Sequence, residues 1–130
     1  MKTNNWIIIG ALIKAIGVAF GAIGAHALKD LLNDYQLTLW NKGVFYQLIH
    51  GLGLLLISLL SLNNSAFRLK WVLRLMLVGI VFFSGSLYTI AINNGVLGEV
   101  LFVKYLMIPI TPIGGSLLVI SWLLLALKLK

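Results

Sequence analysis

Cysteine is absent from the 130 residues, which excludes disulfides, thiolate chemistry and cysteine-bound metals. Acidic residues are nearly absent too. Asp30, Asp34 and Glu99 are the three, against ten lysines and arginines, for a formal charge of +7. None of the three lies in an apolar stretch, so a buried proton relay built on carboxylates is not expected. Charged residues of either sign make up only 10% of the chain. A soluble domain of this length has a large surface to cover, and this composition cannot cover it with polar groups. With 61% hydrophobic residues and a mean hydropathy of +1.05, lipid must be part of the solvent. The basic excess therefore reads as the charge that orients membrane helices, and no nucleic-acid partner is expected.

What is present is four apolar stretches, at about residues 6–28, 44–62, 71–92 and 108–127. Each approaches the ~20 residues needed to cross ~30 Å of hydrocarbon as a helix. The expected fold is all-α: one domain, residues 1–130, a polytopic bundle of four transmembrane helices with membrane lipids as its surroundings. With four spans both termini share a side. That side holds Lys2, Arg68, Lys70, Arg74, Lys128 and Lys130, whereas Lys29, Lys42 and Lys104 on the other side are balanced by the three acids. The expected arrangement is N-in/C-in, in the plasma (bacterial inner) membrane, with both termini cytoplasmic. Ala25-His26-Ala27 has the look of a signal-peptidase site. The preceding run is too long for a signal peptide, however, and Lys14 interrupts it, so it is read as an uncleaved span.

Local signals mark the helix boundaries. Asn33 and Asp34, followed by Gln36, can cap a helix that starts outside the membrane and runs into the second span. Thr111-Pro112 reads as the N-cap and first position of the fourth span. The alternative is a helix starting near Leu101 and kinked at Pro109 and Pro112. The sequence also admits two readings of Gly95–Met107, an interfacial helix or a loop.

Within the spans, Gly10, Lys14, Gly17, Gly21 and Gly24 share one face of the first helix, and Gly114 and Gly115 mark a close approach in the fourth. These glycines are candidate helix-packing positions, either within one subunit or between subunits. Lys14 is the one charge inside a span. It either snorkels to the cytoplasmic headgroups or has a function at depth. His26, Tyr46, His50, Ser84, Ser86, Tyr88 and Thr111 all fall in the half of the membrane remote from the termini. They define a candidate polar pocket opening outward and floored near His50. Depth predicts a hydrogen bond from His50 to another helix, with Tyr88 or Ser84 the expected partner. No complete catalytic set is visible. With two histidines and no cysteine, no metal and no cofactor are expected.

Four ordered motifs carry a resemblance. They are Gly17-Val-Ala-Phe-Gly-Ala-Ile-Gly-Ala-His-Ala-Leu28, Trp40-x-x-Gly43-x-x-Tyr46-x-x-x-His50, Phe83-Ser-Gly-Ser-Leu-Tyr88 and Ile110-Thr-Pro-Ile-Gly-Gly115. Together they resemble the small membrane proteins grouped as domain of unknown function 423. The resemblance covers nearly the whole chain and implies a four-helix membrane protein with no assigned activity. The chain departs from that pattern at Lys14, where a small or neutral residue is implied, and at Glu99–Ile108, which reads as a longer third connection. The functional expectation is association, as a homo-oligomer or with another membrane protein. The alternatives are a small-solute or lipid transporter using the outward pocket, and an outer-leaflet enzyme with His26 or His50 as base.

Overall fold

A computed structural model describes residues 3–63 and 66–129. Lys2 and Lys130, two of the six basic residues in the charge asymmetry, lie outside the described residues. Four helices follow one another: α1 (Thr3–Ala25), α2 (Asp34–Asn63), α3 (Ala66–Gly95) and α4 (Leu101–Lys128). All four are long and apolar enough to cross a membrane. Each packs on its neighbour in the sequence, α1 on α2, α2 on α3 and α3 on α4. In the apolar windows of α2 and α3, 50% and 44% of residues are buried, against 17% and 22% in α1 and α4. The middle pair is therefore the core, and the outer pair flanks it with most of its surface uncovered.

Three of the helices extend beyond their apolar stretches. α2 begins at Asp34, ten residues before the apolar run, because a capping box holds its start. The Gln36 N–H donates to Asn33 Oδ1 and the Asn33 N–H donates to Gln36 Oε1, each at 2.9 Å. α3 likewise outruns its apolar stretch at both ends. α4 starts at Leu101, so Thr111-Pro112 is helix interior and not a cap, and both prolines lie inside the helix. Proline at 109 and 112 removes two backbone donors, which frees the carbonyls a turn earlier. The Thr111 hydroxyl takes up one neighbouring carbonyl, donating to Met107 O at 3.3 Å.

The α3–α4 connection is accordingly short, only residues 96–100. The apparent extra length at Glu99–Ile108 is mostly the first two turns of α4. Fully buried Asn93 staples the connection, accepting from the Val100 N–H at 3.1 Å and donating to Val100 O at 3.2 Å. The turn is made with Gly98 at φ 73° and Glu99 at φ 61°. Glu99, an unusual residue in the left-handed region, also pairs with Lys104 one turn into α4.

Buried side chains form two clusters. Leu54, Ile57, Leu73, Met76 and Leu118 fill the half nearer the chain termini. Leu28, Leu32, Trp40, Tyr88 and Ala91 fill the half nearer the α1–α2 and α3–α4 connections.

Candidate functional site

The glycines of α1 face α2. A methyl group on Gly10 would meet Leu55 at 2.8 Å, one on Gly17 would meet Leu48 at 2.8 Å, and one on Gly24 would meet Trp40 at 2.6 Å. Gly21 is roomier, with Val44 at 3.5 Å. This stripe is thus occupied within the chain. Gly114 makes the closest approach to another helix's backbone, because an added Cβ would strike the backbone of Phe82 and Phe83 on α3; Gly115 lies against the Phe83 ring.

Two side chains of α2 reach the backbone of α1 across this seam. Trp40 Nε1 donates to Phe20 O at 2.8 Å, and Gln47 Nε2 donates to Ile13 O at 2.9 Å. Tyr88 extends the chain from α3, its hydroxyl donating to Gln47 Oε1 at 2.8 Å. Its ring lies 4.6 Å from Trp40 and 5.0 Å from Phe20, centroid to centroid. Gly43 makes room for it, since a Cβ there would sit 2.7 Å from Tyr88 Cε1. One aromatic and amide network therefore ties α1, α2 and α3 together.

Tyr46 and His50 lie on the other side of α2. Their rings stack, with centroids 5.6 Å apart and planes 11° from parallel, and Tyr46 also meets Phe83 at 4.6 Å. His50 Nδ1 bonds Tyr46 O at 2.9 Å, which requires the proton on Nδ1 because a carbonyl only accepts. This corrects the expected partner: the bond stays within α2 and goes to neither Tyr88 nor Ser84. Beyond Tyr46, the Ser86 and Thr111 hydroxyls pair at 2.7 Å and join α3 to α4.

The structure does not bring all of the candidate pocket residues together. His26 is exposed in the turn after α1. Tyr88 and Ser84 lie towards α1, whereas Tyr46, His50, Ser86 and Thr111 lie towards α4. Depth could be read from the sequence, but azimuth could not, and neighbouring residues such as Tyr46 and Gln47 point about 100° apart. Among the described residues, two grooves on these two sides of α2 are shallow and mostly apolar. One, of about 450 Å³, is lined by Tyr46, Phe83, Gly115 and Val119. The other, of about 250 Å³, lies between α1 and α3, with Phe20, Gln47, Ser84 and Tyr88 among its lining. Ser84 Oγ is the one buried side-chain polar atom without a partner among the described residues.

Gln47 was missed as a site residue, although an amide in an apolar run must find partners inside the bundle. Asn93, missed as well, follows the same rule. Lys14 donates to Leu48 O at 3.3 Å, and its stem runs past Gly51. It does not snorkel toward the terminal end.

Residues 20–115 match the family described as protein of unknown function (DUF423). The chain is 44% identical over 123 residues to a UPF0382 membrane protein of Staphylococcus epidermidis, covering 94% of this chain and 92% of the relative. It is 41% identical to the UPF0382 membrane protein SH2409 of Staphylococcus haemolyticus, covering 95% and 93%. It is 36% identical to the UPF0382 membrane protein YwdK of Bacillus subtilis, covering 92% and 91%. No solved structure matches.

Proposed function

The chain belongs to the DUF423 family of membrane proteins of unknown function, and we propose that it acts by association. It is a homo-oligomer or an accessory subunit of a larger complex in the plasma membrane, with both termini cytoplasmic. One observation carries this reading. Trp40, Gln47, Tyr88 and the Ser86–Thr111 pair spend their polar groups on holding neighbouring helices together. The two flanking helices meanwhile keep most of their apolar length uncovered. Without a hydrophobic drive between helices in lipid, such surfaces associate through close packing and polar contacts.

The test is the native mass of the protein extracted from its own membranes in a mild detergent. The expected result is a species well above the 14.3 kDa of one chain after detergent is subtracted. A monomer, alone across several mild detergents, would overturn the reading.

A further inference from the structure

Lys14 sits at the midpoint of α1, eleven residues from Thr3 and eleven from Ala25. At 1.5 Å per residue that is ~16 Å from either end, about half the hydrocarbon thickness. A lysine there can escape by extending to the nearer headgroups. This one does not. Its acceptor, Leu48 O, belongs to α2 three residues before Gly51, the residue its stem passes. Since α2 runs from the connection end to the terminal end, the ammonium stays at mid-depth or leans toward the connections.

A single carbonyl at 3.3 Å satisfies one of three donors and neutralises none of the charge. Among the described residues Lys14 has no counter-ion. The chain's three carboxylates, Asp30, Asp34 and Glu99, lie outside the apolar stretches, and Glu99 pairs with Lys104. The same count rules out a second copy as the source, because another copy brings another lysine and no acid at that depth. Lys14 is only half-buried, so a partner can reach it. Beside it, Ala11, Ala15 and Ala19 are exposed one turn apart on the uncovered side of α1, and small residues let another backbone come close.

Building on the association reading, we propose that Lys14 is the docking point for a transmembrane helix of a different protein carrying an aspartate or glutamate at mid-depth. The ammonium and that carboxylate form a charge-assisted hydrogen bond in a setting without water, where neither has another neutralising partner. The complex is therefore heteromeric at this face.

The test uses the full chain, fluorescently labelled, in phosphatidylcholine vesicles. Its partner is a synthetic apolar helix with one central glutamate, compared by energy transfer with the same helix bearing glutamine. The glutamate helix is expected to bind about tenfold more tightly. Lys14→Met should erase that preference, Lys14→Arg should keep it, and Lys14→Glu should transfer it to a helix bearing lysine. Equal binding of the glutamate and glutamine helices overturns the proposal, as does a preference that survives Lys14→Met. Loss of the preference when phosphatidylglycerol is added overturns it in favour of an anionic lipid as counter-ion. Native mass is read without reference to Lys14. Complexes of high mass with no glutamate preference would therefore sink this inference alone and leave the association reading standing.

Discussion

Tyr88 and Gln47 illustrate how a polar side chain becomes structural in a membrane. The phenol donates to the amide oxygen, and the amide nitrogen donates to Ile13 O, so each group is satisfied only because the next one is. Tyr88→Phe should lower stability in detergent by about 0.6–2 kcal/mol, the range for a bond between transmembrane helices. Gln47→Leu should cost more, since it also strips Ile13 O. The double variant should cost less than the two single changes added together, because the second loss falls on a bond already broken. Strict additivity in thermal melts would mean the network is not coupled. The glycines offer a second test. Gly114→Ala should destabilise strongly, because the obstacle is the backbone of Phe82 and Phe83, which cannot rotate away. Gly21→Ala has an ordinary contact at 3.5 Å, and Gly85→Ala meets nothing within 4 Å, so both should melt within about 0.5 kcal/mol of wild type. Comparable losses in all three would show that collision with these neighbours does not set the effect. The sequence marked Gly17, Gly21 and Gly24 as one stripe, but only neighbours in space distinguish the tight positions from the loose one.

At the scale of the helix, legibility follows range. The start of α2 was readable because Asn33 and Gln36 are three residues apart and need nothing else to bond. The start of α4 was not, because proline is equally at home in a first turn and in a kinked interior, and tertiary packing decides between them. Here Gly114 docks on Phe82 and Phe83 and the Ser86–Thr111 bond ties Thr111 to α3, which together keep residues 101–115 in one helix against it. How the candidate pocket residues are grouped was not legible for a similar reason. The residues share a depth, yet they face opposite neighbours across α2. Asn33→Ala should cost about 1 kcal/mol, the usual value of an N-cap. Gln36→Ala should cost less, since it removes only the reciprocal half of the box. Hydrogen exchange should show the loss confined to the first turns of α2. Unchanged protection at residues 34–38 in Asn33→Ala would mean that the helix start is held by packing of Leu32 and Trp40 instead.

At the scale of the whole molecule, the number of spans was legible from apolar length alone, and the family from four motifs. Which side the termini occupy is a separate matter, because packing is indifferent to it and only charge against the membrane decides. The connection end carries Lys29, Lys42 and Lys104 with three acids, whereas the terminal end carries six basic residues and no acid. Positive residues near short loops resist translocation, and acids counter them weakly, so the six-to-three ratio is the relevant quantity. Both termini are therefore expected to be cytoplasmic. The lack of cysteine makes this directly measurable, since one introduced thiol reports without background. Asp30→Cys, exposed in the α1–α2 connection, should react with a membrane-impermeant maleimide on intact cells. Lys128→Cys, in the last turn of α4, should react only after the membrane is opened. The reverse pattern would invert the topology. Labelling of both sites on intact cells would mean that the chain inserts in two orientations, and that a six-to-three bias is too weak to choose between them.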